Sequence, residues 1–421
     1  MINQKFLWSF IIFLSIWPLM SKPEQKNSTL LFNRDIEDTI MRFTKFPVIG
    51  IFGPSQSGKT TLIKKLFKNY VYLNLQNPEI REFAIQDPKA FLEQYDNEYG
   101  IILDEFQYCP RILSYIQLIV DEKNRPGHFI LIGSQNYLMN EAVTQSLAGR
   151  IGILTLLPLS LNECAENNLL LSDPNKMILK GSYPRLYTNS FLPDEIYPSY
   201  IQTYVERDVR QLTNVENLST FKKFMRLCAG RIGQLLNISD IATNCGITNK
   251  TATHWLSILE ASYIIFLLQP YHGNFNKRIT KTPKLYFYDT GLACSLLGIK
   301  ESEELDLSPF RGHLFESFII TDLFKQYFNK GTTAPLYFWR DRNGLIEIDC
   351  LIDRGGKLTP MEIKSGKTIV PDFFTALNKW NEIAQTDPHH GYIIYGGDEE
   401  QKREKGNVVG WQAAKNLIQK I

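Results

Sequence analysis

The sequence predicts an α/β protein in three parts: a parallel-sheet domain built on a phosphate-binding loop, a winged helix, and a smaller α/β domain. Three observations predict it. The apolar run Val48–Phe52 passes straight into Gly53-Pro54-Ser55-Gln56-Ser57-Gly58-Lys59-Thr60 and then into a helical pattern over 61–67. Short apolar runs alternate with helical patterns as far as residue 190 or so, the signature of strands joined by helical crossovers. Near the C-terminus, two strand-like runs place Asp349, Glu362 and Lys364 on either side of a turn.

The 421 residues suffice for two to three domains, here 1–27 as an apolar extension, 28–190, 191–300 and 301–421. With 46 basic and 44 acidic residues, the net charge of +2 excludes a polycation, so any nucleic-acid contact must come from a local patch. Cys109, Cys164, Cys228, Cys245, Cys294 and Cys350 are scattered with no C-x-x-C pair. That pattern fits single buried thiols in a reducing, cytoplasmic compartment rather than a zinc site.

The apolar run over 6–20 is shorter than a bilayer span needs and is followed by no small-residue cleavage site. Three accounts stand: a mis-assigned start with Met20 as the first residue, a membrane tether or signal, or a buried helix.

The loop 53–60 fits G-x-x-x-x-G-K-[ST] in the strand-to-helix context that gives the motif meaning. Two glycines let the backbone curl so that N–H groups, with those of Thr61 and the helix start, point at phosphate oxygens. Lys59 then reaches the β- and γ-phosphates of ATP and Thr60 holds Mg²⁺. The run 101–103 ends in Asp104 and Glu105, where a strand-end aspartate holds Mg²⁺ and the glutamate polarises the attacking water. A third run, 129–132, delivers Gly133, Ser134, Gln135 and Asn136, with Ser134 or Asn136 placed to sense the γ-phosphate. Arg150 ends Ser-Leu-Ala-Gly-Arg. It is a candidate for touching phosphate in its own or a neighbouring subunit, or else a surface or ion-paired arginine.

Residues 239–245 and 250–260 read as two helices around a Gly246-Ile247 turn, with Trp255, Ile258 and Leu259 on an apolar face. Strand-like runs at 263–269 and 285–288 complete a wing. Lys250, His254, Lys277, Arg278, Lys281 and Lys284 make the region mildly basic, suited to DNA phosphates. Packing within the protein is the equal alternative.

In the last part, a helix over 314–328 carries Glu316, a strand over 346–352 carries Asp349, and a strand over 359–364 carries Glu362 and Lys364. Strand alternation puts Glu362 and Lys364 on one face. Carboxylates so grouped can bind Mg²⁺ beside a lysine that orients water for attack on a phosphodiester. The arrangement resembles the core of restriction-endonuclease-type nucleases, active or degenerate; a solvated hairpin is the plain alternative.

The order GPSQSGKTTL, IILDEFQYCP, FILIGSQNYLM, LAGR, LPLSLNE, GSYPRLY, YVERDVRQL, KTPKLYFYDTGLACSLLG, GHLFESF, EIDCLID, MEIKSG resembles prokaryotic AAA-type ATPases that carry an uncharacterised C-terminal domain. The resemblance runs from about Asn27 to Lys364 and departs at Ser55, where such proteins often have arginine. It implies ATP and Mg²⁺ as cofactors, nucleotide hydrolysis, assembly into a homo-oligomer, and a nucleic-acid or protein partner.

Overall fold

The computed structural model describes residues 31–134, 146–188, 191–205, 218–272, 281–341 and 343–421. The chain divides into two units, Met1–Leu31 and Phe32–Ile421, and the fold described is that of the second. The expectations placed on the run 6–20 and on Gln135, Asn136, Lys277 and Arg278 lie outside the described residues.

The first sheet contains β1 (Val48–Phe52), β2 (Val71–Asn74), β3 (Ile101–Asp104), β4 (Phe129–Gly133) and β5 (Ile151–Thr155). They pair in the order β2-β3-β4-β1-β5, all parallel. Every residue of β1, β3 and β4 is buried, as continuous apolar strands covered on both faces must be. Alternation assigns the faces. Ile49 and Ile51 pack with Leu62 and Ile63 of α1 (Lys59–Leu66), while Val48 and Phe52 pack with Ile112 and Ile116 of α2 (Ile112–Lys123). Because β3, β4 and β1 are neighbours, the segments leaving their carboxyl ends meet at one edge, the place where parallel sheets bind ligands.

Helix α3 (Pro193–Tyr200) and α4 (Leu218–Ala229) precede the helix pair α5 (Ile238–Cys245) and α6 (Asn249–Ala261). The Asn237 side chain caps α5, Gly246 closes it at φ 70°, and Thr248 caps α6. Trp255 meets Phe221 and Phe224 edge-on, with ring centroids 5.2 and 5.5 Å away. Strands β6 (Ile265–Leu268) and β7 (Lys284–Phe287) pair antiparallel, and α7 (Thr290–Leu297) follows.

The last part sets the long helix α8 (Arg311–Asn329) and α9 (Thr375–Ala384) against a mixed six-stranded sheet. Its strands are β8 (Leu336–Arg340), β9 (Glu347–Arg354), β10 (Lys357–Lys364), β11 (Tyr392–Tyr395), β12 (Gln401–Arg403) and β13 (Gly406–Gly410). Only Gly355 and Gly356 separate β9 from β10, both at positive φ (64° and 92°). A two-residue hairpin turn of this kind requires that conformation and favours glycine for it. One apolar core joins Trp255 of α6 with Phe315 and Ile319 of α8 and with Cys350 and Met361 of the sheet. The helical middle and the C-terminal sheet therefore share an interior.

Candidate functional site

The loop after β1 has the backbone its sequence requires. Gly53 sits at φ 151°, where an added Cβ would lie 2.1 Å from the Leu156 carbonyl oxygen, and Gly58 at φ 96° opens α1. The Lys59 ammonium donates to the carbonyls of Gly53 and Pro54 at 2.9 and 2.8 Å. It thus folds back over the loop's own cradle. Ser57 is buried, Ser55, Gln56 and Thr60 are half-buried, and Thr61 is exposed. Gln56 Oε1 and Ser57 Oγ meet no partner among the described residues.

Asp104 closes β3 beside this loop. Its Oδ2 accepts from Thr60 Oγ1 at 2.8 Å and from the Tyr72 hydroxyl at 2.6 Å, while its buried Oδ1 has no partner among the described residues. A hydroxyl and a carboxylate converging beside a glycine-flanked loop are oxygen donors of the kind Mg²⁺ takes, so the residues present fit that ion.

Glu105 adopts φ 55°, ψ 43°, a left-handed conformation uncommon for a non-glycine residue and concentrated at functional sites. Gln107 and Ser134 donate to its Oε2, Ser134 at 3.3 Å. Burial pushes its carboxyl above the usual range, against the pull of Lys59.

Two residues at this edge escaped the sequence reading. Tyr72, on β2, bonds Asp104 and carries the Lys64 ammonium 3.4 Å over its ring. Arg34 is buried beneath the loop, donating to the Ser57 and Leu157 carbonyls at 2.9 and 2.7 Å and pairing with Glu163 at 2.9 Å. Glu163 belongs to a capping box with Ser160, which the Ser160-to-Glu163 spacing signals; no short-range pattern points to Arg34. A weak contact runs from the Tyr200 hydroxyl on α3 to the Ser55 carbonyl at 3.5 Å.

Arg150 lies elsewhere. It immediately precedes β5, at the amino ends of the strands, and grips Asp121 at 2.5 and 2.9 Å. The nucleotide edge is at the other end of the sheet, so contact with this chain's own loop, one expectation from the sequence, is not made.

The second constellation gathers where the hairpin β9–β10 meets α8. Lys364 Nζ is 2.6 Å from Glu362 and 3.6 Å from Asp349, whose Oδ2 also accepts the Ile363 N–H at 2.8 Å. Glu316, on α8, takes the Tyr286 hydroxyl at 2.5 Å and the Lys284 ammonium at 3.1 Å. Lys284 pairs with Glu347 as well. Counted in the sequence among basic residues facing nucleic acid, Lys284 is instead 3% exposed; Lys250, His254 and Lys281 are exposed.

Electrostatics separates the acids. Burial would raise Glu316, but Lys284 and the hydrogen bonds from His313 and Tyr286 hold it at about 2. Burial and the nearby Glu316 push Asp349 up to about 6. Burial and Asp349 push Glu362 up to about 8. The two lysines hold charges that a divalent ion would otherwise neutralise, and no group of three or more His, Cys, Asp or Glu among the described residues is set to hold a metal ion. The set as it stands does not fit Mg²⁺.

With this geometry in view, residues 45–165 match the family model described as an AAA domain. The first part of the chain thus resembles an AAA domain, with a glycine-flanked loop of the phosphate-binding kind at the carboxyl edge of a parallel sheet. Residues 172–303 and 311–414 match two domains of unknown function, DUF8612 and DUF4143. Among curated relatives, the uncharacterized protein Rv2008c of Mycobacterium tuberculosis is 28% identical over 356 residues, 83% of this chain and 78% of that one. The uncharacterized protein MJ1637 of Methanocaldococcus jannaschii is 22% identical over 62% of this chain and 64% of its own. The Walker-type ATPase PABY2304 of Pyrococcus abyssi overlays at TM-score 0.43 and 15% identity, covering 63% of this chain and 96% of that one. The RuvB Holliday junction branch migration motor of Thermotoga maritima overlays at 0.28 and 15%, covering 55% and 85%. Both scores are too low to carry a functional argument. No helix among the described residues is long and apolar enough to cross a membrane.

Proposed function

We propose that the chain is a Mg²⁺-dependent ATPase whose nucleotide state is passed to a winged-helix module and a nuclease-like module. The observation that carries this reading is the meeting of Thr60, Asp104 and Glu105 beside Lys59 at one sheet edge. The N–H groups of the loop bind phosphate oxygens, and Lys59 exchanges its contacts with the Gly53 and Pro54 carbonyls for the β- and γ-phosphates. Mg²⁺, when bound, supplies neutralisation of phosphate charge, with Thr60 and Asp104 as its holders. Glu105 orients water and accepts its proton, and its raised affinity for protons brings it nearer to a base matched to neutral pH. Ser134 steadies the Glu105 carboxylate. Arg150 completes a neighbouring subunit's site in a homo-oligomer after leaving Asp121.

Downstream, the helix pair α5–α6 with β6–β7 is read as a winged helix and α8 with β8–β13 as an endonuclease-like domain. The exposed Lys250, His254 and Lys281 favour nucleic acid as partner. A second reading has a specific observation behind it. Lys284 stands among the carboxylates of the nuclease-like site, which favours a degenerate module that engages a protein partner under ATP control. ATP turnover measured with and without DNA separates the readings: stimulation by DNA supports the first, and indifference to DNA supports a protein-binding switch.

A further inference from the structure

Lys284 enters the acidic site from outside it. It opens β7 of the hairpin, while its partners Glu316 and Glu347 lie on α8 and β9, 32 and 63 residues further along the chain. The ammonium is enclosed: the Phe338 ring centroid lies 5.5 Å away and the residue is 3% exposed. Burial alone would strip its proton, but Glu316, Asp349 and Glu347 keep it charged. Across the same site, Glu362 is 2% exposed and directs one oxygen, Oε2, to Lys364. Its other oxygen, Oε1, is buried with no hydrogen-bond partner among the described residues. A buried carboxyl oxygen without a partner is costly when charged and is answered by a proton, as its raised carboxyl shows, or by a cation.

We propose that the Lys284 ammonium is a built-in cation that plugs a latent divalent-cation site formed by Glu316, Asp349 and Glu362. Hard ions such as Mn²⁺ and Mg²⁺ need several carboxylate oxygens converging with little competing positive charge; Lys284 is the buried competitor on Glu316, held within 3.1 Å of its oxygen, while Lys364, the more exposed of the two lysines, lies on the Glu362 and Asp349 side. The plug sits on the hairpin, so the helical middle of the chain, rather than solvent metal, supplies the charge that the C-terminal sheet needs. This inference rests on the cluster alone and is independent of the ATPase reading.

The test is Mn²⁺ binding to the full chain without nucleotide, by calorimetry and by the shift in unfolding midpoint, in wild type, Lys284→Met, and each combined with Glu362→Gln. Mn²⁺ bound equally with and without Glu362→Gln belongs to the phosphate loop and is subtracted. The expected result is no Glu362-dependent Mn²⁺ in wild type, one equivalent in Lys284→Met, and a midpoint that Mn²⁺ raises in that variant by more than about 3 °C beyond its effect on wild type, because an ion binding only the folded state adds stability. Glu362-dependent Mn²⁺ in wild type overturns the proposal, as does a folded Lys284→Met chain that binds none. Should Lys284→Met fail to fold without metal, Lys284→Met/Glu347→Gln removes one unpaired carboxylate and is held to the same criteria. Failure of Mn²⁺ to restore folding to either variant also counts against the plug.

Discussion

Thr60 Oγ1 donates to Asp104 Oδ2 at 2.8 Å, tying the first turn of α1 to the end of β3 across 44 residues of sequence. The same carboxylate oxygen takes the Tyr72 hydroxyl, while Oδ1 faces no partner among the described residues. A carboxylate fixed through one oxygen and open at the other is pre-organised for a cation.

Lys59→Ala is expected to weaken nucleotide binding by about 10- to 100-fold, the loss of charge-assisted hydrogen bonds worth ~1.5–3 kcal/mol. Titration of a fluorescent ATP analogue measures it, and wild-type affinity in the variant would remove Lys59 from the site.

Tyr72→Phe deletes one bond to Asp104 and leaves the ring under Lys64. The expected outcome is a several-fold higher Mg²⁺ concentration for half-maximal turnover, with the unfolding midpoint within a few degrees of wild type. An unchanged Mg²⁺ profile would make the bond incidental.

Arg34→Ala strands the buried Glu163 carboxylate and frees the Ser57 carbonyl. Breaking a buried pair from one side costs about 3–5 kcal/mol, so a clear drop in denaturant midpoint is expected, largely recovered by Arg34→Met/Glu163→Gln. Equal damage in single and double variants would mean that the pairing itself contributes little.

The C-terminal acids give a signed dependence on pH. Glu362 binds its proton more tightly folded than unfolded, with its carboxyl raised from 4.5 to about 8, so its contribution to stability is full below pH 4.5 and is lost as pH rises to about 8. Glu316, lowered to about 2, contributes above pH 4.5 and loses that contribution as pH falls toward about 2. Glu362→Gln is therefore expected to flatten the decline in stability between pH 5 and pH 8, and Glu316→Gln to steepen none of it. Denaturation midpoints across this range check both; a wild-type decline retained in full by Glu362→Gln would contradict the assignment.

The phosphate loop was legible in the sequence because its chemistry is local. Eight consecutive residues fix the turn; the flanking strand shows as a continuous apolar run and the helix by its period. Strand ends carrying Asp104, Glu105 and Ser134 are legible for the same reason, as is a β9–β10 hairpin turning within 353–357, which the structure narrows to Gly355-Gly356. Arg34, Tyr72 and Lys284 are not. Arg34 and Lys284 meet partners more than 30 residues away through a tertiary fold that no short-range pattern encodes, and Tyr72 looks like an ordinary strand aromatic. Lys284 in particular counts, by charge alone, among basic residues suited to DNA phosphates, whereas three carboxylates drawn from α8 and β9, Glu316, Glu347 and Asp349, make burial of its ammonium tolerable. For Arg150 the sequence leaves phosphate contact and a surface or ion-paired arginine both open, and the Asp121 pairing matches the latter, because a spacing after a helix does not say at which end of the sheet the chain has arrived.

The central claim is that Glu105 activates water at a nucleotide site formed by Lys59, Thr60 and Asp104. Phosphate release and ATP binding measured side by side in wild type and Glu105→Gln test it most directly. Multiple turnovers are expected in wild type, with a fall of about 10²–10⁴-fold in Glu105→Gln and ATP binding retained. Turnover in Glu105→Gln equal to that of wild type would contradict it.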